Sequence, residues 1–509
     1  MNQKRIILKG ALILTLAGFV SRIIGFFYRI FLSHTIGAEG MGIYQLIFPV
    51  YAMAFSLTSS GIQTAVSRNV SGKLAVGDHK GARDTFLSGL ILAFGGTLIA
   101  SLFLHENAGW ISTYFLHESR CEPLVRLMAF ALPFGSIHSS ISGYYYGMKR
   151  TNIPAISQLI ENVARVSASY LVYMVMLEKG MEVTPVLAVI GMLCEEAASA
   201  LFCITVTFFH FRKVKFGASL FHFAGPAKHI LTLSIPLTAN KVLINLLQSV
   251  EAICIPLKLQ LSGLDNSAAL SVYGVLTGMS LPLVLFPSAI TSAISVMLLP
   301  TVSEAQASGN QHQINRTVES TVQYSLILGI LCTGVFLCFG NDLGNLLFKN
   351  ESAGSFIMIL AWICPFLYLG STLTSILNGL GKTMTSFLQN SFSLGIRILF
   401  VWFAIPRYGI TGYLWGLLVS QLAVAAASLF SLSRYVSFRF DSVGWILKPG
   451  LVLAVSIGIM LFFKFIMQLT GWNIPPILEM SGSAIVLCAS YTGIMFFSNI
   501  TYFFQKKAY

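Results

Sequence analysis

Long apolar stretches separated by short polar connectors run through the whole chain. A helix of about 20 apolar residues is long enough to cross the hydrocarbon core of a bilayer. Strictly alternating apolar and polar positions, typical of membrane barrels, do not occur in the sequence. The pattern therefore predicts an all-α polytopic membrane protein with fourteen transmembrane helices, near residues 6–33, 43–68, 85–104, 124–148, 154–177, 185–210, 229–257, 271–300, 317–340, 354–379, 384–405, 410–433, 445–469 and 476–500.

The composition agrees with this class. Of the 509 residues, 55% are hydrophobic and 10% are charged, and the mean hydropathy is +0.76. These values exclude an ordinary soluble globular protein. The eight cysteines are scattered without CxxC spacing, so they are interpreted as packing residues, and neither a disulfide framework nor a metal site is predicted.

The cationic residues are unevenly divided between two sets of connectors. With an even number of spans, both termini and every second connector share one side, which holds twenty Lys and Arg residues, whereas the opposite connectors hold six. The positive-inside rule then places both termini in the cytoplasm. Because this topology accounts for most of the net charge of +13, no nucleic-acid partner is predicted.

An internal repeat divides the chain. Matching residues stand 232 positions apart at the same place in their spans: Val70 and Val302, Pro133 and Pro365, Gly147 and Gly379, Arg165 and Arg397. A constant shift indicates duplication, so spans 1–6 repeat as spans 7–12 in parallel orientation, followed by two extra C-terminal helices. We expect an N-lobe at 1–228, a C-lobe at 229–441 and an added helix pair at 442–509. A cavity between two such lobes is typical of transporters.

The first span carries arginines inside an apolar run. Gly18, Arg22, Gly25 and Arg29 fall on one helical face. An arginine near the centre of a bilayer costs at least about 2.5 to 3.5 kcal/mol, so such a residue normally faces a polar cavity. Arg22 is therefore the first candidate site residue. Arg29 lies nearer the outer end, where a side chain that snorkels to the interface is an equal alternative.

Other charged residues within or at the ends of spans complete the candidate site. The candidate substrate-binding cations are Arg22, Arg29, Arg68, Arg165, Lys241 and Arg397, and the candidate coupling groups are Glu161, Glu195, Glu196, Glu251 and His138. The i, i+4 spacing of Glu161 and Arg165 favours an intrahelical ion pair. For His138, a hydrogen-bonded packing histidine is favoured over a protonation site.

The sign of these charges indicates the substrate class. If the cations line one cavity, its field attracts anions, and arginine binds phosphate or pyrophosphate oxygens in bidentate fashion. An inside-negative potential would help an anionic head group outward by about 2.3 kcal/mol per charge per 100 mV.

Three segments resemble a known family: Ser21–Arg29 (SRIIGFFYR), Ile36–Tyr44 (IGAEGMGIY) and Ser59–Arg68 (SSGIQTAVSR). They are similar to the stage V sporulation protein B family, polysaccharide-transport members of the multidrug/oligosaccharidyl-lipid/polysaccharide (MOP) exporter superfamily. In the related lipid II flippases, arginines on the first helix line the cavity, and Ser21-Arg22 matches that motif. Arg29 stands one residue further along than its counterpart, and Ser56 to Ser60 occupy the place of another flippase arginine.

The resemblance implies a two-lobed bundle in a bacterial cell membrane that works by alternating access. It also implies outward flipping of an undecaprenyl-pyrophosphate-linked oligosaccharide, such as a polysaccharide precursor or a peptidoglycan precursor of the spore cortex. In those relatives the two extra helices form a groove for the lipid tail, which would give the last two spans a role. The partners expected are the lipid-linked oligosaccharide and bilayer lipid, and the oligomeric state stays open.

Two transport functions are compatible with the sequence. The leading hypothesis is a secondary-type flippase, and the alternative is a proton- or sodium-coupled multidrug exporter of the same superfamily. An enzyme is not predicted, because the longest connectors are under about 20 residues. Nor is an ATP-driven pump, because Ile376 replaces the first glycine of the P-loop-like sequence that ends at Lys382-Thr383. No cofactor is expected, and coupling to a proton, to sodium or to the membrane potential is left open as the source of energy.

Overall fold

The computed structural model describes residues 3–213, 222–438, 440–469 and 475–507. Across those ranges the regular structure is helical and no β-strand is present. The α-helices are α1 Gln3–Phe55, α2 Gly61–Ala75, α3 His79–Glu106, α4 Ala108–Trp110, α5 Glu122–Ala129, α6 Ala131–Gly147, α7 Asn152–Glu178, α8 Val186–Lys213, α9 Ala224–Leu261, α10 Asn266–Gly274, α11 Leu281–Leu285, α12 Ser288–Ala307, α13 Gln311–Phe348, α14 Glu351–Leu360, α15 Cys364–Gly379, α16 Thr383–Phe403, α17 Ile405–Tyr408, α18 Ile410–Ser433, α19 Lys448–Leu469 and α20 Pro476–Lys507.

Tighter and wider helical turns join several of these helices. The π-helical turns are Ser56–Ser60, Ile111–Phe115, Val275–Ser280 and Val443–Leu447, and the 3₁₀ turns are Ser119–Cys121 and Ala361–Ile363. Turns of the π type inside long helices are uncommon and often lie at functional sites.

The all-helical membrane class predicted from the sequence is confirmed. Within the described residues, eleven helical segments are long and apolar enough to cross a membrane, or twelve if the pair Ser119–Ala129 and Ala131–Gly147, bent by 44°, counts as one span. The predicted spans near 154–177 and 384–405 correspond to α7 and α16, which fall outside this count.

Three predicted spans differ in form from the helices observed. The first two spans belong to one long helical run, Leu12–Ala75, which is interrupted at Gly37 with φ 67° and ψ −176°. Only glycine adopts this backbone conformation readily. The span near 271–300 is instead two helices that break at Phe286-Pro287, where proline cannot donate a backbone hydrogen bond.

The first compact unit comprises Met1–Gly278 and Val401–Arg407. In it α8 packs against α6 and α7, α1 packs against α7 and α10, and α2 packs against α3, α6 and α9. Its main apolar core contains Ile62, Val66, Val70, Phe86, Tyr144, Tyr145 and Ile230. This packing fixes the positions of α1, α6, α7 and α8, which carry most of the predicted site residues.

The second compact unit comprises Met279–Phe400 and Tyr408–Tyr509. Here α13 packs against α14 and α15, and α12 and α18 also contact α15. The main core contains Val318, Val322, Leu373, Ile376, Leu377 and Trp445. The C-terminal helices α19 and α20 pack against each other and against α13 through Phe339, Met460 and Leu487.

The two units do not follow the lobe boundaries predicted from the repeat, at 228/229 and 441/442. Contacts show which helices pack together in this structure, whereas the repeat concerns the origin of the sequence. The division into duplicated lobes therefore stays a prediction.

Candidate functional site

Helix α1 carries the arginines predicted on its glycine-containing face. The Arg22 side chain is exposed, and Arg29 Nη1 donates to the backbone carbonyl of Thr277 at 3.2 Å. A Cβ atom at Gly25 would lie 4.0 Å from Arg165 Nη2. The predicted face of α1 thus lies against the charged part of α7.

Arg165 is held by groups from three helices. Its Nη1 lies 3.2 Å from Glu195 Oε2 on α8, its Nη2 donates to Asn162 Oδ1 at 2.8 Å, and its Cζ lies 5.2 Å from the centre of the Tyr28 ring. The prediction of an intrahelical ion pair between Glu161 and Arg165 is wrong. The Arg165 guanidinium instead contacts the neighbouring helices, because α8 presents the Glu195 carboxylate and α1 presents the Tyr28 ring.

Glu161 contacts α6 and α8. Its Oε1 lies 3.0 Å from His138 Nδ1 and accepts a hydrogen bond from Ser199 Oγ at 2.8 Å. Ser157 Oγ lies 2.7 Å from Ser199 Oγ and extends this network. The histidine is therefore hydrogen-bonded, as favoured from the sequence, and its partner is itself a titratable group.

Glu196 lies next to Glu195 on α8 and contacts α1. Tyr51 Oη donates to Glu196 Oε1 at 2.9 Å, whereas the buried Glu196 Oε2 has no hydrogen-bond partner among the described residues. A Cβ atom at Gly135 on α6 would lie 3.1 Å from Glu196 Oε2 and 3.1 Å from the Tyr51 hydroxyl. The absence of a side chain at Gly135 therefore leaves space for this pair.

We call Glu161, Glu195 and Glu196, with Arg165 and His138, the carboxylate cluster. Three carboxyl groups face one guanidinium and one imidazole, so the fully ionised cluster would carry excess negative charge. Ionising a buried carboxyl oxygen that has no partner among the described residues, such as Glu196 Oε2, is costly, so uptake of protons or of a cation would stabilise the cluster. In the described ranges no group of three His, Cys, Asp or Glu residues is arranged to hold a metal ion.

The remaining predicted site residues lie on other helices. Arg68 is exposed on α2, and Lys241 Nζ on α9 donates at 3.2 Å to a carbonyl of the π-helical turn after α1. Glu251 on α9 is 4% exposed. Arg397 belongs to the second unit, where its Nη2 donates to Tyr413 Oη at 3.4 Å.

The sequence reasoning missed the neutral partners of the cluster, above all Tyr28, Tyr51, Asn162 and Ser199. Asn162 precedes Arg165 by three residues and Ser199 follows Glu195 by four, so both lie on the helical faces of charged residues. That spacing was a usable signal. The two tyrosines carried no comparable signal, because their partners are more than a hundred residues away.

Comparison with known proteins identifies the family. Residues 7–306 match the family described as Polysaccharide biosynthesis protein. The chain belongs to the polysaccharide biosynthesis protein family. Residues 241–403 also match the family described as MatE, which places the chain in the MOP exporter superfamily, as its sequence motifs indicated.

Two curated relatives come from Bacillus subtilis (strain 168). Stage V sporulation protein B is 25% identical to this chain, over 92% of the chain and 93% of the relative. Lipid II flippase MurJ is also 25% identical, over 74% of this chain and 73% of the relative.

Solved structures share the fold. Lipid II flippase MurJ in an inward closed conformation matches with a TM-score of 0.70 at 16% identity, covering 96% of this chain and 99% of that one. A multidrug resistance MATE family transporter of the MOP superfamily, in an inward-facing conformation, matches with a TM-score of 0.60 at 14% identity, covering 83% and 98%. The chain is thus a multi-pass membrane protein with a MurJ- and MATE-like fold.

Proposed function

We propose that this protein is a flippase that moves an undecaprenyl-pyrophosphate-linked oligosaccharide from the inner to the outer leaflet by alternating access. The observation that carries the proposal is the charged face of α1, where Arg22 is exposed, Arg29 donates to Thr277 and Gly25 lies beside Arg165. Guanidinium groups on a membrane-spanning helix suit an anionic pyrophosphate. The similarity to a named lipid II flippase supports the same substrate class.

We further propose that the chain crosses a bacterial cell membrane fourteen times, with both termini in the cytoplasm. Helices α7 and α16, of 27 and 21 residues, are long enough to span even though polar residues lower their hydropathy. The break at Gly37 separates the first two spans, and Asn266–Leu285 together with Ser288–Ala307 forms one broken span. In this plan the first two sets of six spans form parallel repeats, and α19 and α20 are additions.

The carboxylate cluster is the proposed coupling site. Its negative charge must be balanced by protons or by a cation, and Glu196 Oε2 has no donor within the described residues. A change in the occupancy of this site would alter the contacts of α8 with α1 and α7, which carry Tyr51 and Arg165. Proton or sodium entry could in this way be linked to movement of α1.

A hydrogen-bonded network at one end of the first unit supports alternating access. Arg120 Nη1 lies 2.7 Å from Glu39 Oε1, and Arg120 Nε lies 2.8 Å from Glu118 Oε1. Asn266 Nδ2 donates to Glu118 Oε2 at 2.7 Å. We call these four residues the Glu118 network. In the proposed orientation it joins α1, just after its break at Gly37, and the start of α10 to the segment before α5, and outward opening would break it.

The test of the proposed function is complementation. In a cell that depends on this protein, Arg22→Ala should abolish translocation of the lipid-linked saccharide while the protein still inserts at normal levels. Arg150→Ala, which removes an exposed arginine from a connector, is the matched control and should translocate normally. Normal translocation by Arg22→Ala would overturn the site assignment.

A cation-coupled multidrug exporter is the second candidate, because the carboxylate cluster could also serve a cationic substrate and the chain matches the MatE family over residues 241–403. Efflux of a cationic dye from vesicles distinguishes the two functions. The flippase proposal predicts no efflux above that of empty vesicles.

A further inference from the structure

The second unit contains a groove of about 330 Å³ between α12 and α13. Its α13 side is polar and includes Arg316, Thr317, Ser320 and Tyr324, whereas its α12 side includes Ile294 and Leu298. We call it the Arg316 groove. None of these residues belongs to the site described above, and the groove lies entirely within one compact unit.

The polar residues form one continuous strip. Arg316, Ser320 and Tyr324 follow one another at intervals of four residues, so they lie on one face of α13 over about two turns, or roughly 12 Å. Ile294 and Leu298 have the same spacing on α12. The groove therefore presents a cation, hydroxyl groups and an aromatic ring opposite an aliphatic surface.

The polar groups of this strip are accessible. Arg316 is exposed and makes no ion pair with any described residue, and the Tyr324 side chain is 63% exposed. A guanidinium binds phosphate oxygens in bidentate fashion, and the hydroxyl groups of the strip can donate hydrogen bonds to the same oxygens. The aliphatic side suits the first carbons of a lipid chain.

The position of the groove fits a loading step. Arg316 stands five residues after the start of α13, and in the proposed orientation this end of the helix is on the cytoplasmic side. A volume of about 330 Å³ is near the lower limit of small-molecule sites, so it suits part of a head group and not a whole oligosaccharide.

We propose that the Arg316 groove binds the phosphorylated head group of a membrane lipid, and that the occupant is the lipid-linked saccharide before it enters the transport path. This inference rests on the proposed function for the identity of the occupant. The alternative source of the phosphate is bulk anionic phospholipid, and the experiment must separate the two.

The experiment measures lipid binding to the full chain in phosphatidylcholine nanodiscs. The three probes are undecaprenyl-pyrophosphate disaccharide, undecaprenyl phosphate and phosphatidylglycerol. We expect Arg316→Ala to weaken binding of the disaccharide lipid about tenfold, Arg316→Lys to weaken it less because lysine lacks the bidentate fork, and the control Arg150→Ala to have no effect. Tyr324→Ala should weaken the disaccharide lipid and undecaprenyl phosphate alike, because Tyr324 lies about two turns deeper in the membrane than Arg316, beside the lipid chain.

Two results would overturn the proposal. If Arg316→Ala binds every probe as tightly as the wild type does, the groove holds no phosphate. If Arg316→Ala weakens the binding of phosphatidylglycerol and of the disaccharide lipid equally, the groove is a site for bulk phospholipid. Failure of the flippase proposal would look different from failure of the groove proposal. In that case the wild-type chain would translocate no lipid, but its lipid binding would still depend on Arg316.

Discussion

At the scale of single residues, the account depends on how buried carboxyl groups are balanced. Glu161 is bonded to His138 and Ser199, Glu195 is paired with Arg165, and among the described residues Glu196 has a single donor, Tyr51. Of the three, Glu196 is therefore the carboxyl group for which uptake of a proton costs the fewest existing contacts.

The first prediction concerns Glu196→Gln. The side chain amide keeps an acceptor for Tyr51 but cannot take up a proton, so the variant should fold as stably as the wild type and lose the dependence of translocation on a pH gradient. Melting temperature and flipping in vesicles with and without that gradient check it. A variant that still responds fully to the gradient would exclude Glu196 as a coupling group.

The second prediction concerns Tyr51→Phe, which removes the donor to Glu196 that the described part of the chain provides. Leaving a buried acceptor unsatisfied costs about 1 to 3 kcal/mol, so the melting temperature should fall. Tyr114→Phe is the control, because the Tyr114 side chain is 68% exposed and its replacement should be neutral. Equal melting temperatures for the two variants would show that the hydrogen bond contributes nothing.

The third prediction is a pH dependence outside the membrane. Burial opposes ionisation of Glu118, but hydrogen bonds from Arg120 and Asn266 outweigh it and hold the Glu118 pKa below its usual value. A lowered pKa in the folded state adds stability above the unfolded-state pKa, and this stability is lost as the pH falls through the folded-state pKa. The melting temperature of the wild type should therefore exceed that of Glu118→Gln at pH 7, and the difference should shrink as the pH falls below about 4. A constant difference would contradict this.

At the scale of helices, close approach of α8 to α7 positions the carboxylate cluster. A Cβ atom at Gly191 on α8 would collide with the Ser169 hydroxyl and would lie 3.1 Å from the carbonyl of Arg165. Any side chain at Gly191 therefore pushes α8 away from the residues that hold Arg165.

The fourth prediction is that Gly191→Ala destabilises the protein by about 1 to 3 kcal/mol, as expected for overpacking. Gly95→Ala on α3 is the control, because no atom outside its own helix lies within 4 Å of its Cβ position. Alanine there should be neutral or slightly stabilising, since it favours the helix. Equal behaviour of the two variants in thermal unfolding would contradict the close packing of α7 and α8.

The sequence was sufficient to predict the helices and the charged residues that lie within them. It was not sufficient to predict which of the charged side chains pair with each other. Apolar runs give the membrane class, and the glycine and arginine spacing of α1 gives its charged face. The i, i+4 rule suggested a Glu161–Arg165 pair, but partners on α6 and α8 compete for both side chains. Such competition depends on contacts between residues far apart in the chain. The break at Phe286-Pro287 is a proline effect that a span-length criterion does not detect.

At the scale of the whole molecule, the Glu118 network gives a test of alternating access. Cys121 follows Arg120 directly and is fully buried. If the network holds α1 at Glu39 beside the start of α10, Arg120→Ala should increase labelling of Cys121 by a membrane-impermeant maleimide several-fold. Arg126→Ala is the control, because Arg126 pairs only with Glu122 at the surface within the described residues. An unchanged labelling rate would contradict a closing role for the network.

The most direct measurement of the central claim is translocation by the purified chain. The protein is reconstituted in vesicles with a fluorescent undecaprenyl-pyrophosphate saccharide, and pH, sodium and voltage gradients are imposed in turn. We expect wild-type vesicles to move the lipid between leaflets under at least one gradient and Arg22→Ala vesicles to match protein-free vesicles. Wild-type vesicles that move no more lipid than protein-free ones under every gradient would contradict the account.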